Sequence, residues 1–166
     1  RINLLSVGVP EELTPQFPHN NKITIKLELD TTPPPFAVTE TRTRLLPTPY
    51  QVRLYDLPSL FAGKLHALLF RDWRSRVKGR DFYDFVWYVS RNVPANLRHL
   101  EARIAQSGSP PAGGLDIATL RTLLKERVSN VDLAAAAEEV RPFLRDPREL
   151  GLWSKEFFMD LCDRVT

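Results

Sequence analysis

The chain has 166 residues, of which 43% are hydrophobic, so it is long enough and apolar enough to build the core of one ordinary domain. Its 23 basic and 20 acidic residues leave a net charge of +3, which is too small a bias to indicate a polyanionic partner. A single cysteine, Cys162, excludes an internal disulfide framework and a cysteine-based zinc site, and no stretch approaches the length of a membrane span.

The first third of the chain has the pattern of β-strands. Residues 2–9 are apolar and predict a strand, and the proline-rich residues 10–21 predict a loop. Residues 22–30 then alternate apolar and ionisable side chains without a break, which predicts a strand with one apolar face. Side chains two apart in a strand share a face. The ionisable face of this strand therefore carries Lys26, Glu28 and Asp30.

Two interpretations of this ionisable face stay open. An acid between apolar neighbours, as Glu28 is, presents a carboxylate to a metal ion or a substrate on the open face of a sheet. A half-exposed edge strand with a solvated charged face has the same alternation. Asp30 also fits the start of an Asx turn, because the prolines that follow it cannot continue a sheet ladder.

Helices dominate the sequence after a second group of strands. Residues 36–50 predict a strand and a turn, and residues 51–54 predict a short strand that leads into two helices over residues 59–89. Further helices are predicted over residues 94–105, 115–128, 132–141 and 150–165. Asp116 and Asp132 lie where two of these helices start. A small sheet followed by a helical half is an α+β plan.

The two helices over residues 59–89 bring several charged residues close together in sequence. On a helical wheel Lys64 falls on the apolar stripe of the first helix, so we expect it to face the core and to need an anionic partner. Asp81 and Asp84 in the second helix are the candidate partners, and a structural ion pair or a phosphate-binding lysine both fit this pattern. Asp81 also fits a helix cap, because an acid follows three residues later.

Other polar residues of the chain give weaker signals. Residues 71–80 contain five basic residues and one acid, which is typical of a solvated turn but also of a phosphate-binding segment. The histidines have no neighbours at metal-ligand spacing, so surface or packed histidines are the better interpretation. These histidines are His19, His66 and His99. Cys162 is expected to be a small core residue.

Three stretches together resemble one family of enzymes. They are KITIKLELDTTPPP at residues 22–35, SLFAGKLHALLFR at 59–71 and KGRDFYDFVWYV at 78–89. In this order they resemble the AbiEii/AbiGii toxins, which are nucleotidyltransferases of bacterial abortive-infection and toxin–antitoxin systems. The resemblance covers about residues 23–89, and the later helices add only a generic helical pattern.

The resemblance implies a polymerase-β-like nucleotidyltransferase fold and a role for each matching residue. Glu28 matches the carboxylate of an apolar-acid-apolar strand that supports catalytic magnesium, and Asp30 is a second candidate ligand. Lys64 matches a helix lysine that contacts phosphate, whereas Asp81 and Asp84 match an Asp-x-x-Asp element of the active site. The nucleotide-binding residues implied in this way are Lys26, Lys64, Arg71 and Arg80.

The same resemblance implies that the parent protein transfers a nucleoside monophosphate from a nucleoside triphosphate to an acceptor, which is RNA or a tRNA end. It further implies two Mg²⁺ ions as cofactors, a cytoplasmic toxin, no membrane association and a separate antitoxin as partner. Residues 1–56 would form the C-terminal part of the mixed nucleotidyltransferase sheet. Residues 57–166 would form a helical region that completes the domain.

The sequence departs from the family at its start. No Gly-Ser loop and no Asp-x-Asp pair precede residue 23, and one carboxylate cannot organise two metal ions. Because the chain opens at Arg1 without a methionine, we expect that an upstream part is absent and that this chain alone is poorly active or inactive. The alternative is a non-catalytic module of the same fold that binds nucleic acid or a protein partner.

Overall fold

The elements follow the predicted order, with strands first and helices after them. The structure is a computed structural model, and the residues that it describes are 2–8, 22–72, 77–108 and 114–166. The predicted α+β class is confirmed. The chain divides into two compact units, Arg1–Pro33 and Pro34–Thr166. The predicted boundary after residue 56, which separates strands from helices, stays a prediction.

The first unit contains a two-stranded antiparallel sheet. Its strands are β1, Ile2–Gly8, and β2, Lys22–Glu28, and their register places Ile2 opposite Glu28. Both predicted strands are therefore confirmed, although β2 ends two residues earlier than expected. The loop predicted over residues 10–21 lies outside the described residues.

A second antiparallel sheet opens the second unit. It pairs β3, Thr39–Arg44, with β4, Tyr50–Tyr55, in a register that places Thr39 opposite Tyr55. Asp56 follows β4 directly, and its side chain accepts a hydrogen bond of 2.9 Å from the Ser59 N–H. Because this bond satisfies a free donor of the first helical turn, the sheet passes into a helix without an intervening loop.

Helices form the rest of the described second unit. The α-helices are α1, Leu57–Phe70; α2, Gly79–Ser90; α3, Leu97–Gln106; α4, Ile117–Ser129; α5, Leu133–Val140; and α6, Lys155–Arg164. Two short 3₁₀ segments, Arg141–Phe143 and Pro147–Leu152, connect the last two. Side-chain caps begin five of these helices, and the capping residues are Asp56, Asn96, Asp116, Asp132 and Ser154. Helix α2 begins after Lys78 without one.

Hydrogen bonds to Ser59 hold the start of α1 against neighbouring segments. Ser59 is buried, and its Oγ accepts hydrogen bonds from the Val38 N–H at 2.9 Å and from Asn96 Nδ2 at 3.1 Å. The same amide nitrogen donates to the Phe36 carbonyl at 2.9 Å. The start of α1 is therefore held against both the segment before β3 and the start of α3.

The main core lies among the six α-helices, with α5 contributing Ala136, and is rich in aromatic residues. The Phe61 ring stacks on Tyr88 with centroids 4.8 Å apart, and Phe82 meets Phe158 edge to face at 5.4 Å. Cys162 is buried in this core, as predicted. Among the described residues, no helix is both long enough and apolar enough to cross a bilayer.

Candidate functional site

Lys64 on α1 and Asp84 on α2 form an ion pair. The Lys64 Nζ donates to Asp84 Oδ2 at 2.7 Å, with 47% of the lysine and 31% of the aspartate side chain exposed. The expectation that Lys64 faces the core was therefore wrong, whereas an acidic partner on α2 is confirmed. The buried residues of α1 are Ser59, Phe61, Ala62, Leu65 and Leu68. Lys64 lies at the edge of this stripe, where its ammonium group reaches solvent.

Arg71, at the end of α1, forms a second ion pair with α2. Its Nη1 donates to both carboxylate oxygens of Asp81, at 2.9 and 2.7 Å, and only 5% of the aspartate side chain is exposed. Burial raises the pKa of Asp81, and the charges of Arg71 and then Arg80 oppose this rise. Asp81 lies in the first turn of α2 rather than at its N-cap, so the interpretation as a cap is wrong.

Arg127 on α4 holds the end of α1 from the other side. Its Nε donates to the Leu68 carbonyl and its Nη2 to the Arg71 carbonyl, both at 2.9 Å. These carbonyls lie in the last turn of α1, where backbone acceptors have no helical partner. Burial lowers the pKa of Arg127, although the nearby Asp81 carboxylate opposes this effect. The backbone of Arg71 and its guanidinium group are thus fixed by separate elements.

An open cavity of about 540 Å³ lies beside these ion pairs in the second unit. Its polar and aromatic lining residues include Tyr55, Lys64, His66, Arg71, His99 and Arg103. No carboxylate is among the described residues that line this cavity. Asp84 and Asp81 pair with Lys64 and Arg71 but do not line the cavity. The wall itself therefore presents cations and neutral groups. Such a wall favours an anionic ligand.

His99 and Arg103 of α3 are among the lining residues that were not predicted as site residues. His99 is fully buried, and its Nδ1 lies 2.7 Å from the Pro35 carbonyl oxygen, so the packed interpretation is confirmed for this histidine. Arg103 follows four residues later on α3 and therefore on the same helical face. Its Cζ lies 3.8 Å from the point that a Cβ on Gly63 would occupy. Gly63 is not a signal for this contact, because 3.8 Å is an ordinary van der Waals distance that alanine would also allow.

The charged residues predicted on β2 belong to the first unit. Lys26 and Glu28 form an ion pair with each other and are both exposed, which agrees with their predicted shared face. Asp30 lies beyond the end of β2, and its Oδ1 accepts a hydrogen bond of 3.0 Å from the Thr32 N–H. The Asx-turn interpretation of Asp30 is therefore confirmed.

The basic residues of the segment 71–80 lie in different surroundings. Arg71 lines the 540 Å³ cavity, whereas Arg80 is exposed and lines a separate cavity of about 300 Å³ together with Tyr83 and Asp84. Arg80 is thus not brought to the wall that Lys64 and Arg71 share. The middle of the segment, residues 73–76, lies outside the described residues.

Magnesium binds to clustered oxygen ligands, and carboxylates are its usual protein ligands. In the described part of the chain, no group of three or more His, Cys, Asp or Glu side chains could hold a metal ion. Asp81 and Asp84 are each engaged by a basic side chain, and Glu28 is paired with Lys26. The described residues alone therefore do not fit a two-magnesium site.

Comparison with known proteins gives one match. A family model described as "Nucleotidyl transferase AbiEii toxin, Type IV TA system" matches residues 5–160, which is most of the chain. No curated protein matches the chain, and no solved structure matches it.

Proposed function

Because the chain belongs to the AbiEii nucleotidyl transferase toxin family, we propose that the parent protein transfers a nucleoside monophosphate from a nucleoside triphosphate to an acceptor and that this chain alone is poorly active or inactive. The family is part of type IV toxin–antitoxin systems, which implies an antitoxin partner and a nucleotide substrate. The observation that carries the proposal is the placement of two ion-paired cations, Lys64 and Arg71, on the wall of one open cavity.

The charge of this cavity suits a triphosphate. A triphosphate is a compact polyanion, and the described lining contains basic residues without a carboxylate to repel it. An arginine binds phosphate through its planar fork, whereas a lysine acts as a point charge. Arg71 and Lys64 therefore supply two complementary kinds of phosphate contact.

Lys64 is the residue that we propose to act on the reacting phosphates. In the reaction, the acceptor hydroxyl oxygen bonds to the α-phosphorus, the bond from that phosphorus to the β-phosphate bridge breaks, and pyrophosphate and the hydroxyl proton leave. Negative charge grows on the leaving pyrophosphate, and a fixed ammonium group stabilises it. The 2.7 Å bond to Asp84 uses one of the three Lys64 N–H donors, which leaves others for phosphate oxygens.

Arg71 is proposed as a fixed second cation. Asp81 holds its guanidinium through Nη1, and Arg127 holds its backbone carbonyl. A group held in this way loses little conformational entropy when a phosphate binds, so more of the contact energy is retained. In this proposal Asp81, Asp84 and Arg127 are positioning residues, and Lys64 and Arg71 touch the substrate.

The acceptor and the metal ion are finer parts of the proposal. We propose RNA, in particular a tRNA end, as the acceptor and Mg²⁺ as the cofactor, because the family resemblance implies both. The resemblance makes Glu28 and Asp30 the proposed ligands, although the described residues alone do not form a two-magnesium site. Replacing Glu28 with Gln removes the charge at nearly constant shape. We expect label transfer to be lost in this variant while its circular dichroism spectrum is unchanged.

The central experiment measures transfer of label from α-labelled nucleoside triphosphates to total RNA by the parent protein, with Lys64→Gln compared with the unmodified sequence. Transfer should fall by about 100-fold or more, because a preorganised charge at the leaving group is lost. Lys125→Gln is a matched control, because Lys125 also pairs with an aspartate, Asp163, at 2.6 Å but lies on α4. The control variant should retain its activity.

Two results would contradict the proposal. Full transfer by Lys64→Gln would remove Lys64 from the reaction. No transfer by the unmodified parent protein to any RNA, combined with unaltered binding of RNA or of a protein partner in Lys64→Gln, would instead support a non-catalytic binding module.

A further inference from the structure

Arg103 occupies an unusual position for an arginine. Its guanidinium carbon packs against α1 at Gly63, and its Nε is buried without a hydrogen-bond partner among the described residues. Among the residues that the structure describes, no carboxylate forms an ion pair with Arg103. A buried donor without a partner costs free energy, and native proteins keep few of them. A ligand in the cavity would satisfy this donor only if the side chain of Arg103 adjusted, because the Nε has almost no exposed surface.

A second unpartnered nitrogen belongs to the same cavity wall. His99 is fully buried, and a carbonyl oxygen can only accept, so its Nδ1 carries the proton that bonds to Pro35. Its Nε2 has no hydrogen-bond partner among the described residues. Like the Arg103 Nε, this atom has almost no exposed surface, so a ligand would reach it only through a local adjustment of the wall that Arg103 and His99 both line.

The remaining cations of the wall differ from Arg103 in one respect. Lys64 and Arg71 are neutralised by Asp84 and Asp81, whereas Arg103 adds a positive charge that the described residues do not balance. A guanidinium matches phosphate oxygens in geometry and charge. The unbalanced charge of this cavity is thus carried by a group that binds phosphate well.

We infer that the cavity lined by α1 and α3 is an oligophosphate-binding site in which Arg103 is the anchor. Its ligand is the phosphate chain of a nucleoside triphosphate, and this choice of phosphate source rests on the proposed function. Arg103 packs against α1 at Gly63, where a Cβ would lie 3.8 Å from the guanidinium carbon, in ordinary van der Waals contact. Arg103 lies outside the three sequence stretches that carry the family resemblance.

Isothermal titration calorimetry with inorganic tripolyphosphate, at low salt and without metal or acceptor, tests this inference. Arg103→Gln should weaken binding by about tenfold or more, because a charge-assisted phosphate contact is lost. Arg164→Gln removes the same charge from α6, where Arg164 pairs with Asp160 at 2.7 Å, and should change the affinity by less than about twofold. Equal affinities in the unmodified chain and Arg103→Gln, or no binding by the unmodified chain, would overturn the inference.

A parallel titration with a short single-stranded RNA distinguishes the two sources of phosphate. If Arg103→Gln weakens binding of the RNA but not of tripolyphosphate, the assignment to a triphosphate is overturned. Should Arg103→Gln fail to fold, the Arg103 Nε–H resonance of the unmodified chain gives the answer by nuclear magnetic resonance. Saturation with tripolyphosphate should shift this resonance, and an unchanged resonance overturns the inference.

The binding measurement needs no chemistry, so its failure differs from that of the proposed function. Arg103-dependent binding without label transfer would leave the oligophosphate site standing and remove the transferase. Label transfer that depends on Lys64, together with tripolyphosphate binding that is unchanged in Arg103→Gln, would support the transferase and remove the oligophosphate site.

Discussion

His66 shows how one hydroxyl group fixes the state of an imidazole. The Ser107 hydroxyl donates its single proton to the Ile104 carbonyl at 2.8 Å. The His66 Nε2, 3.2 Å from the same oxygen, must therefore act as the donor. Burial lowers the pKa of His66 below its usual 6.5, and the charge of Arg103 lowers it further. His66 is thus held as a neutral ring beside the cavity.

The stability of the protein should depend on this histidine in mildly acidic solution. The pKa of His66 is lowered on folding, so between the folded value and about 6.5 the unfolded chain binds a proton that the folded chain does not. Stability is therefore complete above this window and falls as the pH drops through it. We expect the urea midpoint to fall on acidification, and to fall less in His66→Gln.

The comparison of the unmodified protein with His66→Gln isolates His66, because every other residue is the same in both. Equal falls of the urea midpoint would contradict the effect of burial and of Arg103 on the pKa of His66. The pH dependence would then have to come from other groups.

At the level of elements, the start of α2 is packed directly against α5. A Cβ on Gly79 would lie 1.9 Å from the Ala136 carbonyl oxygen and 3.1 Å from Val140 Cβ. The first of these distances is far below any van der Waals contact, and the obstacle is backbone rather than a flexible side chain. Glycine is therefore required at this position by the approach of two helices.

Gly79→Ala should destabilise the protein by about 3 kcal/mol, the cost expected when a close-packed contact must be forced apart. Gly151→Ala is the matched control, because a Cβ at Gly151 meets nothing within 4 Å. This control should change stability by less than about 0.5 kcal/mol, as exposed substitutions usually do. Thermal unfolding followed by circular dichroism compares the two, and equal melting temperatures would contradict the packing of α2 on α5.

Much of this element structure could be predicted from the sequence, because its signals are local. Period-two alternation marked β2, and Asp116 and Asp132 marked helix starts that the structure confirms. The orientation of Lys64 could not be predicted in the same way. A stripe of 3.6-residue spacing fixes which face is apolar, but its edges are decided by the helices that pack on it.

The partners of the charged residues depend on contacts that are distant in the chain. From the sequence, both Asp81 and Asp84 were candidate partners of Lys64. In the structure, the packing of α1 on α2 pairs Lys64 with Asp84 and Arg71 with Asp81. The position of Arg103 depends on α3 lying against α1, some forty residues earlier in sequence. Periodicity and spacing carry no information about such contacts, so the candidate site was predicted only in part.

At the level of the whole molecule, Cys162 is a probe of the intact core. It is fully buried near Phe158 in the main core, and burial raises its pKa to about 11. At about pH 8 only about one thiol in a thousand would be ionised, and the thiolate is the reactive form. The thiol of the folded protein is therefore protected by both inaccessibility and protonation.

We expect Cys162 to react with Ellman's reagent only when the core opens. The reaction should be slow in the folded protein at about pH 8 and should accelerate strongly in guanidinium chloride, where the thiol recovers an ordinary pKa of about 8.5. The rate at intermediate denaturant should follow the unfolded fraction measured by circular dichroism. A fast reaction in the absence of denaturant would show that α6 does not seal this part of the core.

Helix α2 carries both acids of the ion pairs, yet it differs from the other α-helices of the described ranges in having no side-chain cap. The order of its first turn therefore comes from tertiary contacts, chiefly the Arg71–Asp81 pair and the packing at Gly79. A turn held in this way opens when those contacts break, without unfolding of the remaining helices. Exchange of the α2 amide hydrogens with solvent therefore reports how strongly the contacts with α1 and α5 hold the first turn of α2, which positions Arg71.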